Sequence, residues 1–161
     1  MRVILNENGL LDFDLGATGI RQDLTLETAY LLSILTDRRA DVDDELPFPE
    51  EPGLLPPDRR GYVGDILDEK GRLIGSKLWL LSREITSEKT RRRAERYVRE
   101  SVQWAIDDGY VSENTINAFY DRENHQCLNI LVEPVVIDGI GFKLNLTNVL
   151  TPNVNEVLNV I

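Results

Sequence analysis

One stretch constrains this chain more than any other: ITSEKTRRRAERYVRESVQWAIDDG, from Ile85 to Gly109. Ala94, Tyr97, Val98, Ser101, Val102, Ala105 and Ile106 recur at the i, i+3, i+4, i+7 spacing of a single helical face, and charged residues occupy the opposite face. The spacing predicts one continuous amphipathic helix, whose apolar stripe requires a partner layer. Thr86 or Ser87 is placed to accept a hydrogen bond from the first free backbone N–H groups, and Glu88 puts negative charge at the positive end of the helix dipole. Gly109 suits the stop, where positive φ is often needed. Asp107 and Asp108 oppose the dipole, so the last turn is expected to fray or to find a cationic partner.

The layer for that stripe is predicted on its C-terminal side. Thr115–Asp121, Cys127–Val136 and Gly139–Val149 read as strands, and in the last of these Ile140, Phe142, Leu144 and Leu146 alternate with polar residues. The connections Arg122–His125 and Asp138–Gly139 are of hairpin length, so an antiparallel meander packed on helices is expected. On the N-terminal side, Met1–Asn6 and Leu10–Leu15 flank Glu7, Asn8 and Gly9, which reads as a small β-hairpin, and Gly16–Gly19 reads as a flexible spacer. Leu24–Leu35, with Asp23 or Thr25 as cap, reads as a short helix apolar around most of its circumference and therefore largely buried. The expected fold class is α+β: an N-terminal β-hairpin, a short buried helix and one long amphipathic helix on a C-terminal antiparallel β-meander. Residues 1–150 form one domain in this reading and residues 151–161 a tail, whose Val157, Leu158, Val160 and Ile161 need a partner surface.

At 161 residues, one domain with a real core is the expectation. A formal net charge of −10 opposes binding to phosphate backbones and to anionic membranes. No apolar run is long enough to span a bilayer, the first residues lack the order of a signal peptide, and Cys127 stands alone, all of which points to a reducing cytoplasm. The stretch Thr36–Pro57 changes abruptly to carboxylates and holds five of the seven prolines. It reads as an extended surface loop rather than a packed element, mobile in the isolated protein and ordered on assembly. Its Asp41, Asp43, Asp44 and Glu45 supply the carboxylates of a calcium loop, but no glycine sits where such a loop makes its sharp turn.

Catalytic constellations do not assemble. His125 is the sole histidine, and with Cys127, Asp121 and Glu123 it lacks the paired spacing of a zinc site; a hairpin tip is the simpler reading. Asp65 and Glu84 are one conceivable glycosidase pair among 28 acidic residues, a number at which such pairs arise by chance. Arg91, Arg92, Arg93, Arg96 and Arg99 interleave with Glu88, Glu95 and Glu100, which describes an ion-paired face better than a phosphate patch. No catalytic, cofactor-binding or metal residue is therefore assigned.

What remains is DRRGYVGD, Asp58–Asp65, followed by GSKLWLL, Gly75–Leu81. Gly61 and Gly64 bracket Tyr62, and Arg59 and Arg60 lie between Asp58 and Asp65. Tyr, Trp and Arg dominate protein interfaces. Asp58, Arg59, Arg60, Gly61, Tyr62, Gly64, Asp65 and Trp79 are thus candidates either for a partner interface or for a salt-bridged structural turn with Trp79 in the core. Because neighbours in an extended turn point opposite ways, one arginine is expected to brace the interior and the other to face a partner.

The segments TDRRA (Thr36–Ala40), DRRGYVGD, GSKLWLL and ESVQWAIDDG (Glu100–Gly109), in this order and spacing, resemble the Mu-type phage tail baseplate family, gene product forty-six. That family is distantly similar to the gene product twenty-five-like wedge proteins of contractile tails. The resemblance spans about Leu10 to Val136 and implies a structural wedge component of the virion tail baseplate, assembled in the host cytoplasm in multiple copies. Its implied partners are other baseplate and tail hub proteins, with no catalysis, cofactor, nucleic acid or membrane. A lysozyme-like glycosidase and a cytoplasmic regulatory binding module stand as the alternatives.

Overall fold

The computed structural model describes residues 3–5, 11–13, 15–16, 19–20, 26–48, 58–67 and 71–150. The architecture is α+β, with helices laid on a three-stranded antiparallel sheet. Helix α1, Glu27–Leu35, buries Thr28, Tyr30, Leu31, Ser33 and Ile34, as its apolar circumference requires. Leu26 holds its N-cap position without a side-chain cap bond. The expected caps, Asp23 and Thr25, lie outside the described residues.

Helix α2, Glu88–Ser101, begins at the expected cap: Ser87 is extended, and its side chain accepts from Thr90 N at 3.1 Å. The single helix to Gly109 is not observed. The α-helical ladder stops at Ser101, and a short helix α3 follows at Trp104–Asp107. Ser101 Oγ donates back to Val98 O at 2.8 Å, a bond that bends helices. Beyond it the backbone tightens to i→i−3 bonds, Ala105 N to Val102 O and Ile106 N to Gln103 O. The bend leaves Val102 and Ala105 fully buried, so the apolar stripe survives the break in the helix.

Gly109, at φ +77°, closes α3. Gly109 N donates to Ile106 O at 3.0 Å and Tyr110 N to Ala105 O at 2.9 Å, the paired bonds of a Schellman stop. The carboxylate that opposes the dipole finds its cation: Arg72 Nη1 lies 2.7 Å from Asp108 Oδ2.

Strands β5 (Val111–Tyr120), β6 (Leu128–Val136) and β7 (Leu144–Leu146) form the sheet in the order β5-β6-β7, with Ile116 opposite Val132 and Ile130 opposite Leu146. The meander agrees with expectation and the strand limits do not. The first strand starts earlier than Thr115, with a register irregularity at Val111–Glu113, and the third is confined to Leu144–Leu146. Ile140 is 58% exposed, since Gly139 at φ +146° turns the chain away before any ladder forms. Asn148, at φ +51°, ends β7 with its N–H on Asn129 Oδ1. Near the N-terminus, β1 (Val3–Leu5) and β2 (Leu11–Phe13) pair antiparallel, while Glu7, Asn8 and Gly9 lie outside the described residues. Gly16 and Gly19, read as a flexible spacer, pair across the two-residue strands β3 (Leu15–Gly16) and β4 (Gly19–Ile20).

GSKLWLL supplies a 3₁₀ turn, Leu78–Leu81, with all of its side chains buried in the core cluster to which α1, α2 and the sheet also contribute. Ser76 Oγ donates to Ile34 O at 2.6 Å and pins this turn to the end of α1. An aromatic series runs outward through the core. Tyr30 packs edge-on against Phe142 at 5.1 Å and against Trp104 at 6.0 Å, and Trp104 in turn meets Tyr110 at 6.0 Å.

The reading of Thr36–Pro57 as a loop without packing is corrected over its first part. Arg38 N donates to Ser76 O at 3.0 Å, Ser76 N to Thr36 O at 2.8 Å and Ala40 N to Arg59 O at 3.0 Å, so TDRRA is a seam between GSKLWLL and the Asp58–Asp65 turn. Lys77 Nζ then grips Asp41 at 2.6 Å and Asp44 at 2.5 Å. One buried lysine offsets the repulsion between like charges that the composition suggested. Residues 49–57 and the tail 151–161 lie outside the described residues.

Candidate functional site

The turn from Asp58 to Asp65 is held at both ends by carboxylates. Asp58 Oδ1 accepts from Arg60 N at 2.8 Å, an Asx turn, and Asp65 Oδ1 accepts from Ile74 N at 2.8 Å. Between them the backbone departs from extended geometry: Arg60 sits at φ +42° and Gly61 at φ +130°. A Cβ on Gly61 would lie 3.3 Å from Arg39 Cβ, so glycine serves both the dihedral and the close approach. A single 3₁₀ stretch, Val63–Leu67, follows, opened by Asp65 N on Tyr62 O at 3.1 Å.

Both arginines make contacts within the protein and stay partly exposed, and the left-handed Arg60 breaks the simple alternation on which the expected division of labour between them rested. Arg59 Nη1 donates to Asp41 O at 2.7 Å. Arg60 pairs with Asp37 and lies over the Trp79 indole, 5.0 Å from the ring centroid. Trp79 is 7% exposed and donates Nε1–H to Arg38 O at 2.8 Å, so it joins the core and also supports the seam. Two residues remain at the crest. Tyr62 is 43% exposed, with its ring folded back against Gly64, and Val63 is 82% exposed.

Asp37, Lys77 and Gly75 belong to this arrangement and were not singled out from the sequence. Gly75, at φ +107°, lets Thr36 O approach: an added Cβ would stand 2.4 Å from it. The grouping of TDRRA with GSKLWLL was the available signal. Lys77 shows how burial and pairing oppose each other: burial disfavours its charge, but the bonds to Asp41 and Asp44 prevail and raise its pKa. Asp44 mirrors this, with burial opposing and the Lys77 pair lowering its pKa on balance.

The arginine run is ion-paired as expected. Arg91 bridges Glu88 and Glu95, Arg92 reaches Glu88 at 2.8 Å, and Arg93 pairs with Glu84. Hydrogen bonds from Arg91 and Arg92 hold the exposed Glu88 carboxyl down at about 2. His125 is exposed at the β5–β6 tip, where Asp121 accepts from Glu123 N and Asn124 N. Among the described residues no cluster of histidine, cysteine and carboxylates could hold a metal ion, and no helix is long and apolar enough to cross a membrane. Beside the turn, Tyr62, Arg72, Ile74, Trp104 and Tyr110 border a groove of about 760 Å³ against α1.

Comparison with known proteins bears on residues 26–139, which match the family model "Phage protein GP46" and include the whole braced turn, all three α-helices and the β5–β6 hairpin. "Baseplate protein gp46" of Escherichia phage Mu is 37% identical over 115 residues, covering 71% of this chain and 74% of that protein. "Mu-like prophage FluMu protein gp46" of Haemophilus influenzae is 30% identical over 132 residues, covering 82% and 84%. No solved structure gives a significant match. With a family match across most of its length and relatives aligned over most of theirs, the chain belongs to the phage protein GP46 family.

Proposed function

We propose that this protein is a structural component of a phage or prophage tail baseplate, acting through protein–protein contacts as a wedge part of a contractile tail. One observation carries the reading: a relative over most of the chain is a phage Mu baseplate protein. The turn geometry supports it. Asp58, Arg59, Arg60, Gly61, Gly64, Asp65 and Trp79 form a frame beneath Tyr62 and Val63, and a braced crest with exposed apolar side chains suits a contact between proteins better than chemistry. In this reading residues 1–150 act as one wedge-like unit, and residues 151–161 as a tail that docks on neighbours such as tail hub proteins.

A lysozyme-like activity would need a free pair of carboxylates. Asp65 is committed to Ile74 N and Glu84 to Arg93 and the Thr90 hydroxyl, so both serve the fold. A regulatory module in the cytoplasm would be absent from finished particles. Mass spectrometry of purified virions tests the proposal: stoichiometric recovery with the baseplate is expected, and absence from particles overturns it. Clearing of peptidoglycan by the purified protein, lost on replacing one specific carboxylate, would establish the enzyme instead.

A further inference from the structure

The groove beside the crest holds one charge that the fold leaves unmatched. Arg38 lines it, is half-buried, makes no ion pair among the described residues, and has its Nε buried without an acceptor. The other charged side chains around the groove are engaged: Arg72 meets Asp108 at 2.7 Å, Asp107 accepts from Gln103 Nε2 at 3.0 Å, and Glu100 lies 3.6 Å from Arg96. Withdrawing a guanidinium from water without a counter-ion is costly, so a fold that keeps one there calls for an explanation. The seam does not supply it. Arg38 bonds there through its backbone, its N–H donating to Ser76 O and its carbonyl accepting from Trp79 Nε1.

The groove's walls are largely apolar. Trp104 is anchored by its Nε1 on Ser33 Oγ at 3.0 Å and packs against both Tyr30 and Tyr110, so its indole is held in place before anything binds. Tyr110 is 50% exposed, Tyr62 43% and Ile74 36%, and all three border this one cleft instead of lying scattered over the surface. At about 760 Å³ it has the size of a ligand-binding cleft, with apolar walls and few polar groups.

We infer that this groove receives a segment of a partner protein in which a single carboxylate lies beside aliphatic or aromatic side chains. The carboxylate pairs with Arg38, and its apolar neighbours pack against Trp104 and Tyr110. The charges around the cleft select this chemistry. Glu100, Asp107 and Asp108, with the net charge of −10, oppose a phosphate or a run of carboxylates, whereas one carboxylate finds the unmatched cation. A purely apolar segment would bury Arg38 further and leave it without a counter-ion. The inference rests on the reading of this chain as a protein that works through contacts with other proteins, and adds the chemistry recognised by the cleft next to its crest.

Panning of a displayed random dodecapeptide library on the purified full chain tests it, with Arg38→Met as the counter-selection target. That variant keeps the stem and removes a charge with no partner in the fold, so its denaturant midpoint should not fall. Enriched peptides are expected to share one Asp or Glu next to Leu, Ile, Phe or Trp. In fluorescence polarisation of one such peptide, exchange of its carboxylate for the amide weakens binding to the wild type at least about tenfold and changes nothing on Arg38→Met. Tyr110→Ala weakens the peptide and its amide form alike, as an apolar wall should. Absence of enrichment overturns the inference, and so does a carboxylate whose loss costs the same on both proteins. Wild-type protein that takes up the peptide only after Glu156→Gln would assign the groove to the chain's own tail. Self-association without peptide that Arg38→Met abolishes would assign it to a second copy, and either result overturns a partner's segment. These measurements need only the purified protein, so their failure is distinct from absence from virions, which would overturn the baseplate reading.

Discussion

The guanidinium of Arg60 lies over the indole of Trp79, 5.0 Å from its centroid, and joins a turn at the surface to the hydrophobic core. The same arginine pairs with Asp37, so a single side chain ties the Asp58–Asp65 turn to both the seam and the buried 3₁₀ turn. Because its side chain is 38% exposed, solvent screens much of the ion pair. Arg60→Ala is expected to destabilise the fold by about 1–2 kcal/mol, less than the loss from a fully buried pair. Arg59→Ala removes one bond to Asp41 O and costs roughly 0.5–1.5 kcal/mol. Denaturant midpoints of the two single variants check this order.

Gly75→Ala should be more damaging than either arginine change. The new Cβ would stand 2.4 Å from Thr36 O and 2.8 Å from Arg38 N, both backbone atoms of the seam, at a φ of +107°. A loss of about 3 kcal/mol or more is expected, read as a drop in melting temperature. Gly109→Ala, where nothing crowds the added carbon, should cost only the dihedral strain of roughly 1–2 kcal/mol.

Tyr30 donates its hydroxyl to Asn114 Oδ1 at 2.6 Å in the fully buried core. Burial pushes the phenol up to about 12, against a smaller opposing effect of the Asn114 bond. A free tyrosine in the unfolded chain ionises near 10, so between about pH 10 and pH 12 the unfolded state releases a proton that the native state keeps. Stability is unaffected below that window and falls through it, by about 3 kcal/mol at most. Urea midpoints across the alkaline range should show this fall, and Tyr30→Phe should flatten it.

Lys77 determines whether the acidic segment is docked. In the free protein the amides of Asp41 and Asp44, bonded respectively to Asp44 Oδ2 and Asp41 O, should exchange slowly. Lys77→Met keeps the stem and removes the charge, and should release both amides to fast exchange while costing about 1–2 kcal/mol, since Asp41 is largely exposed. Acid acts from the other side. The Asp44 pKa is lowered in the fold, so its stabilising effect is present above the ordinary carboxylate range and is lost as pH falls through the folded value. Rapid exchange of these amides in the wild type at neutral pH would mean that the segment is not docked on its own domain.

Crest contacts are tested in assembly rather than in folding. Tyr62→Ala with Val63→Asp changes exposed side chains and should leave the denaturant midpoint within about 1 kcal/mol. Incorporation into particles should weaken by about 2 kcal/mol or more if the crest meets a neighbour. Unchanged incorporation would assign the turn a purely structural role.

Much of this fold was legible locally. The Ser87 cap, the Gly109 stop and the Ala94–Ile106 stripe are decided within one or two helical turns, where spacing and backbone chemistry speak directly. The hairpin between β5 and β6 followed from two strand-like runs joined by a connection of hairpin length. The bend at Ser101 was not legible, because it depends on a bond from a residue that also fits the buried stripe. The short third strand was missed because its alternation extends to Ile140, which the tertiary structure leaves in water.

At the turn the division is sharper. The sequence by itself determined that Asp58–Asp65 is a bracketed turn, that Trp79 lies in an apolar run, and that the arginines of α2 are matched by glutamates at helical spacing. Those are relations between near neighbours, and the chain carries them wherever it folds. Only the tertiary structure decided that Arg60 reaches Asp37 and Trp79, that Lys77 gathers Asp41 and Asp44, and that Gly75 admits Thr36 O. Each of these pairs is far apart in sequence. A charge has many possible partners along an acidic chain, and burial against the core is what selects one.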